Sequence, residues 1–315
     1  MFHIILTYLL YWFNLLKNYI FCIKKNNLVV NYHFLRSCNY ECKFCFHTNK
    51  DEYTEPLDRA KKGLTILKNK GISRINFSGG EPFLKAKLLG EMCKFCKTNL
   101  KMQVSIVSNG SLIKKEWFNK YGKYLDVIAI SCDSFNPDTL KKIGRYQNRK
   151  DHIWQLRNIR EWCYEYNIKF KINTVVCSVN KDEILVDDIR ELNPCRWKVF
   201  QCLLIDGENI GYTAIKDARE MVVSNNEFNT FIENNKINCL VPENNNTMRN
   251  SYLILDERMR FLNNTTGAKI PSISILQDIN QALKDSGFDL DEYKKRGGEW
   301  CNTNKKVSDI EDLFN

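Results

Sequence analysis

Arg36-Ser37-Cys38-Asn39-Tyr40-Glu41-Cys42-Lys43-Phe44-Cys45-Phe46 sets three cysteines at intervals of three and then two residues, on what reads as a loop. Short flexible intervals of this kind let three thiolates converge on three corners of a four-iron, four-sulfur (4Fe-4S) cube. The fourth iron is then left without a cysteine, and a metal with an open position can take a small molecule, as a catalytic metal does and a closed structural one does not. A zinc site and a disulfide pair are the competing readings. Zinc usually takes four nitrogen or sulfur ligands, and no second CxxC or HxxxH lies at a familiar zinc spacing. Cys93 and Cys96 form the other CxxC, but apolar residues recur at helical spacing through Leu88-Leu89-Gly90-Glu91-Met92-Cys93-Lys94-Phe95-Cys96, which makes both of them small core-facing residues.

Outward from this loop, the chain from residue 28 alternates short β-rich runs with amphipathic helical runs, the pattern of βα units and a parallel sheet. The spacing predicts strands at 28–34, 72–77, 103–107, 127–131, 169–175 and 197–203, with helices including 57–69, 114–121, 152–166 and 181–192. Six such units make a partial (β/α)6 barrel, an α/β fold whose chemistry belongs at the strands' C-terminal ends. Residues 28–205 are assigned to the barrel, 206–315 to a C-terminal extension and 1–27 to an N-terminal amphipathic helix. Three loops fall at strand ends. Asn76-Phe77-Ser78-Gly79-Gly80-Glu81-Pro82 follows the second strand; its glycines allow close backbone approach to a ligand, and Glu81 offers a carboxylate to an amine. Val107-Ser108-Asn109-Gly110 follows the third strand, and Ser131-Cys132-Asp133-Ser134 the fourth. Each alone would be an ordinary turn.

With 315 residues the chain can bury a substantial core, and one large domain with an extension fits better than two equal domains. Its 13 cysteines are odd in number and scattered through strand-like and helix-like segments, which points to a reducing compartment. The formal charge of +10 asks for an anionic partner, whether nucleic acid, a membrane surface or a polyphosphate nucleotide. Because Lys and Arg are spread without a dense basic tract or a DNA-binding motif, nucleic acid is the weakest of the three.

Residues 1–23 are mostly apolar, and His3, Thr7, Tyr11, Asn14, Lys17 and Asn18 fall to one side when wound at about 100° per residue. An interfacial helix, a membrane span and a core helix packed on the barrel all fit this pattern. A cleaved signal peptide fits worse, since there is no basic leading segment and no small-x-small site. Lys17, Lys24 and Lys25 favour anionic headgroups or the cytoplasmic side, so the remaining chain faces the cytosol.

The cysteine triad with Gly-Gly-Glu-Pro resembles the radical S-adenosylmethionine superfamily. Longer stretches narrow this: Val30-Asn31-Tyr32-His33-Phe34, Cys45-Phe46-His47-Thr48 and residues 75–84, 104–112, 193–204 (Cys195 aside) and 251–257 resemble the viperin family, over most of the chain. That resemblance implies a radical S-adenosylmethionine barrel and an antiviral dehydratase acting on CTP. A 5'-deoxyadenosyl radical would take the ribose 4' hydrogen, the 3' hydroxyl would leave, and 3'-deoxy-3',4'-didehydro-CTP would form. It implies that Cys38, Cys42 and Cys45 hold a 4Fe-4S cluster, and that Gly79, Gly80, Glu81, Ser108, Asn109, Ser131 and Arg145 hold S-adenosylmethionine. Asn31, Arg74, Ser78, Lys171, Asn173, Arg196 and Lys198 would serve the nucleotide, with Tyr252 at the substrate as a final hydrogen or proton donor. Arg74 stands where relatives carry lysine. Strand alternation agrees with the phosphate assignment, since Arg196 and Lys198 are two apart and share a face, and buried cations on a barrel strand need an anion. The resemblance further implies an electron-donating reductase, iron-sulfur delivery proteins, and residence on the cytosolic face of the endoplasmic reticulum or on lipid droplets through the N-terminal helix. The chain's end, Leu313-Phe314-Asn315, departs from the family's terminal tryptophan.

Overall fold

The computed structural model describes residues 28–48, 50–146 and 151–298. The expected N-terminal helix and the last residues lie outside that range. Six parallel strands form where the alternation places them: β1 (Val29–His33), β2 (Arg74–Ser78), β3 (Gln103–Ser108), β4 (Val127–Ser131), β5 (Lys169–Val176) and β6 (Arg196–Gln201). In β5 the period of two is plain. Phe170, Ile172, Thr174 and Val176 are buried against the outer layer, while Lys171, Asn173 and Val175 face inward to a cavity.

Helices α1 (Leu57–Asn69), α2 (Ala86–Thr98), α3 (Lys115–Tyr121), α4 (Pro137–Ile143), α5 (His152–Glu165) and α6 (Val186–Leu192) make the βα crossovers. Leu64 and Leu67 of α1 and Leu89, Met92, Cys93 and Cys96 of α2 are fully buried in the core, as the helical spacing around the second CxxC requires. Helix α4 has Asn136 as N-cap, Pro137 in its first turn and Gly144 as a left-handed C-cap. Helix α6 begins at Val186, five residues later than the sequence suggests. Asn180 explains the delay: its side chain accepts from Cys177 N at 2.8 Å and donates to Asp133 O at 2.7 Å, which holds the preceding turn out of helix.

The extension does not sit apart from the sheet. Its β7 (Leu240–Glu243) pairs in parallel with β6, and its β8 (Leu253–Leu255) pairs in parallel with β1; β9 (Arg260–Asn263) and β10 (Ile270–Ser274) continue antiparallel beyond β8. The order is β10-β9-β8-β1-β2-β3-β4-β5-β6-β7, an open sheet curled around the cavity. Helices α7 (Asn225–Asn234), α8 (Ile279–Asp285) and α9 (Leu290–Lys295) are the longer helices of the described extension. Among the described residues no helix is long and apolar enough to cross a membrane.

Candidate active site

The cysteine loop is clamped on two sides by backbone. Gly80 N donates to Leu35 O and Glu81 N to Ser37 O, both at 2.8 Å, while Glu41 N and Lys43 N donate to Gly144 O at 3.2 Å and Ile143 O at 2.9 Å at the end of α4. Glycine is required at both contacts. A Cβ on Gly80 would lie 2.0 Å from Ser37 O, and one on Gly144, at φ +86°, would lie 2.4 Å from Glu41 O. Glycines expected to admit a ligand thus admit the cysteine loop first, and Gly79 and Gly80 also line the cavity.

Cys38, Cys42 and Cys45 are free thiols lining one side of that cavity. Burial pushes the Cys42 thiol up to about 12 against the pull of Arg145, and raises Cys38 despite the N–H of Tyr40, which donates to its sulfur at 3.4 Å. Neutral buried thiols of this kind become thiolates when a metal takes the proton's place. Among the described residues no group of three or more His, Cys, Asp or Glu is set to hold a single metal ion. Zinc, which draws its donors to about 2.3 Å from one centre, does not suit the triad, whereas a cube presents separate corners to separate thiolates. The sulfur-only donor set, the N–H donated to Cys38 and the adjoining cavity fit a 4Fe-4S cluster.

Ser108, Asn109, Ser131 and Arg145 line the cavity beside the cysteines, from the ends of β3 and β4 and the end of α4. Glu81 is placed differently from the sequence expectation. Its carboxylate is fully buried and accepts from Phe83 N at 2.9 Å and from Ser108 Oγ and Asn109 N at 2.8 Å, so it ties the β2 loop to the β3 loop. Burial raises it to about 7 even against those donors. Asn109 in turn donates to Asn39 Oδ1 at 3.0 Å inside the cysteine loop. Arg145 forms a buried ion pair with Asp133, which outweighs desolvation and keeps the guanidinium charged.

The expected phosphate-binding cations lie at the opposite end. Arg74 and Arg196 are the first residues of β2 and β6, Lys171 is the register partner of Arg196, and Lys198 pairs with Asn173 one step up the barrel. The chemistry therefore does not sit only at strand C-terminal ends: one cavity of about 390 Å³ runs from the cysteines to these cations at the strand starts. Burial, with Arg196, Lys198 and Arg74 adding, holds Lys171 well below its ordinary value; burial lowers Lys198 to about 8. Asn31, Ser78 and Asn173 line the middle, where Asn76 Nδ2 donates to Asn31 Oδ1 at 2.7 Å and Ser105 Oγ to Asn76 Oδ1 at 2.9 Å. Asn76 is not among the residues expected from the sequence, although its place between Arg74 and Ser78 on one strand face is the signal that could have found it.

Three groups at the cation end come from the extension: Glu243, Tyr252 and Arg296. Glu243 is fully buried and ion-paired to Lys198. Arg296 stacks on the Tyr252 ring, its guanidinium carbon 3.7 Å from the centroid. Tyr252 OH donates to Glu243 and accepts from Lys198 Nζ at 2.8 Å; burial and the Glu243 charge raise its phenol well above the usual range, so it keeps its proton. Burial opposes ionisation of Glu243, but Lys198 and Arg296 outweigh it and hold the carboxyl below its ordinary value.

A second buried network escaped sequence reasoning. Arg36 pairs with Glu208 at 3.0 Å and with Glu257 at 3.2 Å; Glu208 also accepts from Thr48 N at 2.9 Å. Lys269 donates to Phe46 O at 2.6 Å and lies 3.2 Å from His47 Nδ1, whose ring meets His33 edge-on at 4.5 Å. Burial lowers Lys269 to about 8 and holds both histidines well below their ordinary value, with Lys269 adding to the effect. Glu208, Glu257 and Lys269 come from the extension and carry no spacing signal linking them to the cysteines.

A three-cysteine loop at the mouth of an inward-polar parallel barrel defines a radical S-adenosylmethionine enzyme, which uses a 4Fe-4S cluster and S-adenosylmethionine. Residues 32–192 match the family model described as the radical SAM superfamily. The fold is similar to SuiB of Streptococcus suis bound to S-adenosylmethionine, with a TM-score of 0.57 and 20% identity over 85% of this chain and 67% of that one. In sequence the chain is 54% identical to "S-adenosylmethionine-dependent nucleotide dehydratase RSAD2" of Siniperca chuatsi, over 88% of this chain and 80% of the relative. It is 36% identical to "S-adenosylmethionine-dependent nucleotide dehydratase" of Flammeovirga pacifica, over 88% and 97% respectively. The chain belongs to the RSAD2, or viperin, family of radical S-adenosylmethionine nucleotide dehydratases.

Proposed function

We propose that the chain removes water from the ribose of CTP, giving the chain-terminating nucleotide 3'-deoxy-3',4'-didehydro-CTP. The observation that carries this reading is the charge at the strand-start end of the cavity. Arg74, Lys171, Arg196, Lys198 and Arg296 line that end, with Glu243 as the buried counter-charge of Lys198 and Arg296, within one cavity shared with the cysteines. Five cations lining one end favour a polyanion, and a triphosphate seated there points its ribose back toward the cluster. Cluster and S-adenosylmethionine, when bound, supply the radical that takes a hydrogen atom from the sugar. The chain's residues do the rest: the cations anchor the phosphates, Asn31, Asn76 and Asn173 orient the sugar by hydrogen bonds, and the apolar part of the lining, with Val29, Ala129 and Ile254, keeps stray hydrogen donors away. Tyr252, whose phenol keeps its proton between Lys198 and Glu243, is our candidate for the final proton donor.

The reaction is tested by reconstituting the chain anaerobically with iron and sulfide and measuring 5'-deoxyadenosine with each nucleoside triphosphate. CTP-dependent formation with loss of water from the product is expected. Equal turnover of UTP would replace the substrate, and indifference to every nucleotide would end the reading. Residues 1–27 are proposed to bring the enzyme to the cytosolic face of an anionic membrane, on the strength of their apolar face and Lys17, Lys24 and Lys25. Flotation of the full chain, but not of one lacking residues 1–27, with phosphatidylserine vesicles is the expected result; no flotation of either overturns it.

A further inference from the structure

The outer side of the cysteine loop carries cations that the cavity does not use. Lys43, between Cys42 and Cys45, is exposed, and its N–H donates to Ile143 O at the end of α4. Lys141 and Lys142 lie in the last turn of that helix, also exposed. Lys216 arrives from the extension, its Nζ donating to Cys42 O at 2.9 Å. None of these four has a carboxylate partner among the described residues, and all four lie at the cysteine loop or at the elements bonded to it. Tyr146, 42% exposed, follows α4, and the wholly exposed Tyr212 lies four residues before Lys216.

We propose that this patch docks the electron donor, an acidic one-electron carrier protein. A cluster at the cysteines faces the cavity on one side, where S-adenosylmethionine and substrate belong, so an electron from another protein has to arrive from the opposite side. There Lys216 Nζ donates to the Cys42 carbonyl at 2.9 Å, and Lys43 is the residue next to Cys42 in the chain. Four lysines without a carboxylate partner, with the exposed Tyr146 following α4, select an acidic partner, by steering at long range and apolar contact at short range. The step balances simply: the carrier is oxidised by one electron, the cluster is reduced by one, and no bond or proton crosses the interface.

The test uses the full reconstituted chain, reduced flavodoxin as the carrier, and dithionite as a small reductant that needs no docking. The variant is Lys141→Glu with Lys142→Glu. Its control is Lys87→Glu with Lys94→Glu, two exposed lysines of α2 that change net charge equally. Stopped-flow bleaching of the cluster should slow by about tenfold with flavodoxin at low salt in the α4 variant, its binding of flavodoxin should weaken by about tenfold, and the salt dependence of both should flatten. Dithionite reduction should stay within about twofold, and the control should match wild type, since a local patch rather than net charge sets the encounter. Equal slowing in both variants, no slowing in either, or a parallel loss with dithionite overturns the proposal. A lower iron content in the α4 variant as isolated, with unchanged flavodoxin kinetics after reconstitution, would assign the patch to a cluster-delivery protein instead. No nucleotide enters these assays, so their failure is separate from failure of the dehydratase reading.

Discussion

A buried lysine binds phosphate well only while it keeps its proton, and here desolvation works against that. Burial lowers Lys198 to about 8 and holds Lys171 well below its ordinary value in the ligand-free protein, whereas a triphosphate favours both protonated forms. Binding must therefore take up protons above the free-state values. Above about pH 8 the CTP dissociation constant should rise with pH, approaching about tenfold per unit for the proton that Lys198 has to regain. Lys198→Arg, which stays charged throughout, should lower that slope by about one while retaining binding, as isothermal titration across pH would record. An unchanged slope would remove Lys198 from the phosphate site. Tyr252 belongs to the same cluster but to a different step. Tyr252→Phe should keep CTP affinity within about threefold and lose roughly 10²-fold or more of product formation, the size of a positioned acid's contribution. Mass spectrometry of nucleotide products against 5'-deoxyadenosine reads that split; product formed at the wild-type rate would reduce Tyr252 to packing.

The element that makes the site is the cysteine loop pressed between the β2 loop and the end of α4. Gly80→Ala drives a Cβ to 2.0 Å from one backbone oxygen and 2.3 Å from another, neither of which can rotate away. We expect the far-UV circular dichroism to persist while iron bound per chain falls by more than half. Gly71→Ala is the contrast: its φ of +95° carries strain, but nothing lies within 4 Å, so it should cost about 1 kcal/mol of stability and leave iron content alone. Iron loss in both variants would mean that general destabilisation, and not the loop contact, empties the site. Strand β5 was legible because its side chains alternate between two faces, and the cysteine spacing announced the loop. The bracket role of Glu81 was not legible, because its partners Ser108 and Asn109 lie more than 25 residues away and a carboxylate after two glycines looks the same whether it meets a ligand or a backbone N–H. The late start of α6 escaped for a related reason: only the fold brings Asp133 O to the Asn180 side chain.

At the scale of the molecule, the sheet does not close by backbone. It ends at β7 on one side and passes through β8 to β10 on the other. What spans the gap near the cations is a side-chain bridge, in which Glu243 at the end of β7 takes Tyr252, the residue just before β8, and Lys198 from β6. Because the bridge is also the counter-charge of the phosphate site, closure and ligand binding compete for the same cations. Glu243→Gln should destabilise the free protein by about 3 kcal/mol, since it strands two buried cations that the carboxylate had neutralised. The same change should tighten CTP by roughly tenfold, because the phosphates then meet cations with no internal competitor. Thermal melts with and without CTP should show a lower transition in the free variant and a wider gain on adding ligand than in wild type. If stability and affinity fall together, Glu243 positions Lys198 and Tyr252 rather than competing with the phosphates, and the barrel's open seam is held by geometry instead of charge.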